Sequence, residues 1–179
     1  MIQTPRLDLV PIPLEVHRAI NAGDLEAVRV LMLPYSVTEE WLECVPAGWR
    51  EPMLEEDPSL LAWLTRAVVL RETGEVVGAI GWHDRPNRHG MGEIGYQVIA
   101  SHRRRGIARE ALHALVHWGS HVGVDGVTVS VLRLTVSPSN EPSLGLVREL
   151  ELVHVGEQHD LIDGLELIYE RDLTTHPLP

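Results

Sequence analysis

The sequence predicts a single α+β or mixed α/β domain, and three observations lead to that class. Several apolar segments with strand-like patterning, joined by polar turns, occupy the first hundred residues. One long amphipathic pattern follows at about 107–122, where a crossover helix is expected. A strand, a short helix and a closing pair of strands complete the order. The chain has 179 residues, 44% of them hydrophobic, which is enough for one core, so 1–179 is expected to form one domain.

Each element is predicted from its own pattern. Alternation, or a short apolar run bounded by turn residues, predicts strands over 7–10, 67–71, 76–82, 92–99, 127–136, 152–155 and 165–169. Apolar residues at helical spacing predict helices over 14–22, 25–33, 107–122 and 143–150. Asp24 is predicted to be the N-cap of the second helix. The segment 35–58 has no regular pattern, and we expect a mobile or loosely helical connection, either a specificity loop or a plain surface link.

Two patterns support more detailed predictions. Strand 127–136 changes phase, because Val127 and Val129 fall on one face whereas Leu132 and Leu134 fall on the other. This change predicts a β-bulge or burial on both faces. The long helix is expected to bury an apolar stripe that comprises Ala108, Ala111, Leu112, Leu115, Trp118 and Val122.

Charge and cysteine content exclude several classes of function. The chain carries 15 basic and 26 acidic side chains, and its net charge of −11 disfavours generic nucleic-acid binding and favours cationic partners. Cys44 is the only cysteine, which excludes a disulfide scaffold and a cysteine-based zinc site. Apolar runs stay well below the roughly 20 residues that span a bilayer, and no signal peptide is recognised. We therefore expect a cytoplasmic protein without membrane contact.

The segment 101–108, between a predicted strand and the long helix, carries the clearest functional signal. A turn that leads into a helix N-terminus presents main-chain N–H groups at the positive end of the helix dipole, and this geometry binds phosphate. Gly106 and the small Ala108 allow a ligand to approach the main chain, and three arginines add positive charge. A P-loop needs a lysine, which the chain lacks, and the G-x-G-x-x-G fingerprint of dinucleotide-binding folds is absent.

At these residues the chain resembles a known family. Residues 103–108 match the Q/R-x-x-G-x-G/A signature of the GNAT N-acetyltransferases, and the flanking segments 93–96 and 108–112 are similar to the RimJ/RimL-like branch, which acetylates ribosomal-protein N-termini. Thr4-Pro5-Arg6-Leu7-Asp8-Leu9 is similar to the opening strand of that branch. Residues 136–143 resemble its N-x-x-S segment, at the expected distance downstream.

The resemblance implies a GNAT-like fold, a mixed and mostly antiparallel central sheet flanked by helices, and an N-acetyltransferase that uses acetyl-CoA as cosubstrate. The acetyl group would pass directly to a primary amine, such as a peptide N-terminus or a small-molecule amine. The cofactor-binding residues that it implies are Val98 and Ile99 for the pantetheine arm, the main-chain N–H groups of Arg103, Arg104, Arg105, Gly106, Ile107 and Ala108 for the pyrophosphate, and Asn140. Members of this branch are often dimers, although the sequence leaves the oligomeric state open.

The chemistry calls for a base and for a group that assists the leaving thiolate. Glu93 is the candidate base, acting through water, because an amine attacks only in its unprotonated form. Ser143 would lie near the thioester sulfur and donate to the departing thiolate, and main-chain N–H groups at the strand end would polarise the thioester oxygen. Structural alternatives stay open: Glu93 as a salt-bridged strand residue, Ser143 as a helix cap and Asn140 as a turn residue.

Three positions depart from the family pattern. Ala100 replaces a proline before the loop, Arg104 replaces a common glycine, and Glu151 stands where glycine is usual. None of these departures removes a group assigned to catalysis. A non-catalytic acyl-CoA-binding or regulatory module is the alternative function.

Other chemistry-bearing side chains are weaker candidates. The metal-like i, i+4, i+8 spacing of His113, His117 and His121 is interpreted as a solvated helix face, so no metal is expected. Possible acceptor-pocket residues, for which core packing is the alternative, are Trp41, Trp49, Trp82, His83 and Asp84.

Overall fold

The order of strands and helices positions the loop identified above. A computed structural model describes residues 1–45, 48–161 and 164–176. Within these ranges the strands are β1 (Ile2–Gln3), β2 (Leu7–Pro11), β3 (Arg66–Leu70), β4 (Val76–Trp82), β5 (Met91–Val98), β6 (Val131–Val136), β7 (Val153–Asp160) and β8 (Gly164–Asp172). The helices are α1 (Leu14–Asn21), α2 (Leu25–Leu31), α3 (Glu39–Leu42), α4 (Arg50–Glu56), α5 (Ile107–His121) and α6 (Glu141–Glu149).

The strand order is β1-β2-β3-β4-β5-β6-β8-β7. Strand β5 pairs with β6 in parallel. Antiparallel pairing joins β1 to β2, β2 to β3, β3 to β4, β6 to β8 and β7 to β8. This arrangement confirms the predicted class, a mixed and mostly antiparallel sheet with helices. By its internal contacts the chain divides into a first compact unit, residues 1–85 and 96–115, and a second, residues 86–95 and 116–179.

The first unit is built on an antiparallel meander, β1 to β4, with short helices. Every residue of β4 is buried, and a Cβ added to Gly78 or Gly81 would lie 2.5–2.6 Å from a main-chain oxygen of the neighbouring segment. Trp41 is fully buried and donates its indole N–H to the Gly78 carbonyl over 2.8 Å. Glycine at these positions therefore allows a close approach of main chains that a larger residue would prevent.

Side-chain caps mark the start of two helices in the first unit. The Asp24 carboxylate accepts the Ala27 N–H at 2.9 Å, which confirms it as the N-cap of α2. The segment 35–58, expected to be irregular, contains the short helices α3 and α4, and its residues 46–47 lie outside the described ranges. Thr38 caps α3 in the same way, by accepting the Trp41 N–H. The loosely helical alternative for this segment is thus the correct one.

The second unit contains the parallel ladder of β5 with β6 and the closing hairpin β7–β8. Its ladder joins Met91–Glu93 to Val131–Arg133, at the start of both strands. Strand β6 begins at Val131, so the prediction of a strand from residue 127 is wrong. The apparent phase change has a simple cause: Asp125 and Gly126 adopt left-handed φ in a tight turn that bridges Val124 to Val127, and regular alternation starts only at residue 131.

Helix α6 is closed at both ends by side-chain and main-chain caps. The Asn140 side chain accepts the Ser143 N–H at its N-terminus. At its C-terminus the N–H of Glu151 donates to the Arg148 carbonyl at 3.1 Å and that of Leu152 to the Val147 carbonyl at 3.0 Å. This is a Schellman motif, and its left-handed position, usually glycine, is Glu151 with φ 51°.

The long helix α5 lies close to its predicted bounds and differs in the face it buries. Ala111, Leu112 and Leu115 are buried as predicted, and Val116 joins them. Val122 lies beyond the helix and is 61% exposed, so its assignment to the apolar stripe is wrong. Across the described residues, every helix is too short or too polar to cross a membrane.

Candidate functional site

The loop between β5 and α5 is exposed and ends on a glycine with left-handed backbone. Strand β5 ends at Val98, a single 3-10 turn covers Ala100–His102, and residues 103–106 are all exposed before α5 begins. Gly106 has φ 75°, and its carbonyl accepts the Glu110 N–H, the first hydrogen bond of the helix. A 15-residue helix therefore begins directly behind an accessible main chain, which is the geometry expected of a phosphate-binding turn.

The loop arginines brace the main chain. Arg103 donates its Nε–H to the Val98 carbonyl at 3.0 Å, and Arg105 donates from Nη2 to the Ser101 carbonyl at 3.0 Å. Arg104, which takes the place of a family glycine, has φ 61°. The sequence predicted positive charge here, and the structure adds that two of the three side chains orient loop carbonyls.

The end of β5 is partly paired within the first unit. The Ile99 N–H donates to the Val77 carbonyl at 3.0 Å, and the Ile99 carbonyl accepts the His102 N–H at 3.0 Å. Ile99 is also buried, at 1% exposure. The N–H and the carbonyl of Ile99 are therefore both used within the chain, and the carbonyl of the neighbouring Val98 accepts from Arg103.

Two carboxylates hold the two ends of the loop, and neither was singled out from the sequence. Glu40 accepts the Ser101 N–H at 3.0 Å and the Ser101 hydroxyl at 2.8 Å, and these hydrogen bonds lower the pKa of Glu40. On the other side, Glu110 in the first turn of α5 accepts from Thr4 and Arg6. The partners are 61 and 104–106 residues apart in sequence, so no local pattern could reveal them.

Glu93 lies in the second unit and is the last residue of β5 in the parallel ladder with β6. Thr135 of β6 donates its hydroxyl to the Glu93 carboxylate at 2.7 Å, and both side chains are partly buried. Arg133, which is in register with Glu93, forms an ion pair with Glu170 of β8. The carboxylate is therefore held by a hydroxyl, and the neighbouring cation has its own carboxylate partner.

Asn140 and Ser143 lie together at the start of α6. Asn140 is the N-cap residue, and its carboxamide oxygen accepts the Ser143 N–H at 3.2 Å. Ser143 is thus in the first turn of the helix and is not its cap, so that alternative for Ser143 is wrong. The alternative for Asn140, a structural role at the turn, matches the observed contact. The structure brings these two residues together in the second unit, whereas the loop residues and Val98 belong to the first.

The aromatic candidates divide into core and surface residues. Trp41 and Trp82 are fully buried, whereas Trp49 is 40% exposed and packs edge-on against His83 at 5.5 Å. Arg50 stacks over the Trp49 ring at 3.5 Å and donates to the His83 carbonyl at 3.0 Å. Core packing is therefore the role of Trp41 and Trp82.

The structure also reveals a buried basic pair in the first unit. His17 and Arg50 are each only 2% exposed. Burial, followed by the charge of Arg50, lowers the pKa of His17 to about 4, and burial lowers the pKa of Arg50 to about 9. His17 is therefore neutral at physiological pH.

The predicted histidine stripe forms a packed surface row at its C-terminal end. His117 and His121 stack with ring centroids 4.4 Å apart, and the His117 carbonyl lies 3.1 Å from a ring nitrogen of His121. Among the described residues, no group of three or more histidine, cysteine, aspartate or glutamate side chains is arranged to hold a metal ion.

Comparison with known proteins identifies the family. The sequence model of the acetyltransferase (GNAT) domain matches residues 6–153, which is most of the chain. The chain belongs to the GNAT acetyltransferase family. The matched range includes Arg6, Glu93, the whole loop 103–108 and both Asn140 and Ser143.

Curated and solved GNAT proteins agree with this assignment. YjdG, an uncharacterized N-acetyltransferase of Bacillus subtilis (strain 168), is 30% identical over 125 residues, 66% of this chain and 71% of YjdG. The ribosomal-protein-S5-alanine acetyltransferase of Vibrio fischeri is 17% identical and superimposes with a TM-score of 0.60, over 93% of this chain and 91% of that one. RimL, a ribosomal L7/L12 α-N-protein acetyltransferase solved with coenzyme A, is 14% identical with a TM-score of 0.59, over 94% and 95%. The predicted N-acetyltransferase class is confirmed, and the two structures confirm the fold.

Proposed function

We propose that this GNAT protein transfers the acetyl group of acetyl-CoA to a primary amine. The observation that carries the proposal is the exposed turn at 103–106, which ends on Gly106 in the left-handed conformation at the head of α5. A solved neighbour of the same fold holds coenzyme A, which supports the choice of cosubstrate.

The residues present fit the pyrophosphate of acetyl-CoA. Main-chain N–H groups at a helix N-terminus bind phosphate oxygens, and Gly106 has no side chain that would keep a ligand from the main chain. A Cβ at Gly106 would meet only Arg6 Nη2, at 3.5 Å. Arg104, which is exposed, adds positive charge at the turn.

Each part of the acetyl transfer is proposed to have its own group in the chain. The amine nitrogen forms a bond to the acetyl carbon, the carbon–sulfur bond breaks, and one proton leaves the nitrogen. Glu93, held by Thr135, accepts that proton through water, while the Ser143 hydroxyl donates to the leaving sulfur. The Val98 N–H polarises the thioester oxygen, since Ile99 is already paired with Val77.

The acceptor is proposed to be a peptide N-terminus, as in the RimJ/RimL-like branch. A free α-amine has a pKa of about 7.7–8.0, against about 10.4 for lysine, so a modest base such as Glu93 suffices. The net charge of −11 favours approach of a cationic amine or a basic peptide. We also propose that 1–179 acts as one acetyltransferase domain and that it works in the cytoplasm, where its single buried cysteine stays reduced.

Calorimetric titration with acetyl-CoA tests the cosubstrate, with ATP as the control nucleotide. Gly106→Ala is expected to weaken acetyl-CoA binding about tenfold or more, because an L residue is strained at φ 75° and the turn would shift to relieve that strain, which moves the Gly106 N–H from its position. Gly74→Ala is the matched control, since Gly74 has φ 73° and open space around it. Equal affinity of the two variants would contradict the assignment of the turn.

Release of the CoA thiol with a panel of amines tests turnover. Peptides with free N-termini are expected to release it, and Glu93→Gln is expected to lower kcat by 10²-fold or more. Tight acetyl-CoA binding without thiol release for any amine would leave the non-catalytic acyl-CoA-binding module as the function.

A further inference from the structure

The N-terminal segment Thr4–Arg6 makes a dense set of contacts with the first turn of α5. The Thr4 hydroxyl donates to Glu110 Oε1 at 2.5 Å, and the Arg6 main-chain N–H donates to the same oxygen at 3.0 Å. The Arg6 Nε–H donates to Glu110 Oε2 at 2.6 Å. Both carboxylate oxygens are therefore occupied by one short segment that lies more than 100 residues away in the chain.

The same arginine reaches the loop itself. Arg6 donates from Nη1 to the Arg105 carbonyl at 3.1 Å. In a trans peptide the C=O and the following N–H point in opposite directions. Because Arg6 holds the Arg105 carbonyl on its own side, the Gly106 N–H is directed to the other side, and Gly106 can follow only because its φ of 75° suits glycine.

We propose that Arg6 is a positioning residue for the pyrophosphate of acetyl-CoA, since it fixes the Arg105–Gly106 peptide through its contacts with Glu110 and the Arg105 carbonyl. The inference rests on the proposed function and gives a role to the Thr-Pro-Arg segment of the sequence. Arg6 acts through the main chain and does not itself hold the ligand.

The electrostatics favour positioning over direct attraction. Burial alone would raise the pKa of Glu110, but the hydrogen bonds from Thr4 and Arg6 outweigh it and lower that pKa. Glu110 is thus ionised at neutral pH and neutralises Arg6 at 2.6 Å. Thr4 is held in turn by Arg71, the residue that follows β3, which donates to the Thr4 carbonyl at 2.9 Å. The segment is anchored on two sides.

Steady-state kinetics with two acetyl donors test the inference. Arg6→Met is expected to raise the KM for acetyl-CoA about tenfold, because it removes one charge-assisted hydrogen bond. The kcat of this variant is expected to stay within about twofold of the wild-type value. With S-acetylpantetheine, which has no pyrophosphate, kcat/KM is expected to stay within about twofold. Arg18→Met is the matched control, because Arg18 also forms a 2.6 Å ion pair in the first unit, with Glu55.

A second variant keeps the test valid if Arg6→Met does not fold. Glu110→Gln keeps an acceptor oxygen for Thr4 and removes the charge, so a rise of about three- to tenfold in the KM for acetyl-CoA is expected. A tenfold rise for both donors, or an unchanged KM in both folded variants, would overturn the positioning role. If the wild type does not bind acetyl-CoA in calorimetry, the proposed function fails instead.

Discussion

Replacing Glu151 by glycine is expected to stabilise the protein. Glu151 occupies the left-handed position of the Schellman motif after α6, with φ 51°. A non-glycine residue there costs about 1–2 kcal/mol, whereas glycine loses about 0.5–1 kcal/mol more backbone entropy on folding. Glycine also removes the 3.3 Å pair with Arg171, which is worth a few tenths of a kcal/mol because the Glu151 side chain is 80% exposed. The net gain in the free energy of unfolding is about 0.5 kcal/mol.

Urea unfolding, followed by circular dichroism, measures this gain for the wild type, Glu151→Gly and Glu151→Ala. The alanine variant loses the same ion pair and keeps the strained φ, so its stability is expected to equal the wild type or to fall by up to about 0.5 kcal/mol. Glu151→Gly should therefore exceed Glu151→Ala by about 1 kcal/mol, a difference of roughly 2–4 °C in Tm. Equal stability of the two variants would refute the strain argument.

Three further perturbations test other parts of the structure. Between pH 6.5 and about 4 only the unfolded chain binds a proton at His17, so the free energy of unfolding of the wild type falls by up to about 1.4 kcal/mol per pH unit on acidification. His17→Leu is expected to remove this part of the pH dependence, and equal slopes of unfolding free energy against pH in the two proteins would contradict a buried neutral His17. Gly81→Ala is expected to lose more than about 2 kcal/mol in urea unfolding, because its Cβ would meet Leu64 main-chain atoms at 2.6 Å, whereas Gly145→Ala in α6 should gain about 0.5–1 kcal/mol. Arg104→Gly should raise Tm by about 1–3 °C, and an unchanged Tm would show that φ 61° is not strained there.

Sequence patterns predicted the elements whose signals are local. The N-cap at Asp24, the two strands on either side of the Glu72–Gly74 turn and the bounds of α5 to within one residue follow from neighbours in the chain. The departures from the family pattern at Arg104 and Glu151 also had a local meaning, since both positions have positive φ, which glycine adopts without strain.

The rest depends on contacts between distant segments. A run of valines from residue 127 has strand-like composition, but the left-handed turn at Asp125 and Gly126 delays the strand until Val131. The loop was predicted from its arginines and glycine, yet nothing near residues 103–108 indicates that Glu40 and Arg6 hold it. The fold class and the position of the exposed turn before α5 are therefore accessible from sequence, whereas the groups that hold the turn require coordinates.

The carbonyl contacts made by Arg6, Arg103 and Arg105 bear on how fast acetyl-CoA would associate. A loop whose peptide planes are oriented beforehand loses little conformational freedom when a ligand arrives, so association would occur in a single kinetic phase without a slow ordering step. Hydrogen exchange would show the same property in the free protein. The Gly106 amide, directed away from Arg6, would exchange quickly in an ordered loop and slow down only when a phosphate oxygen accepts its proton.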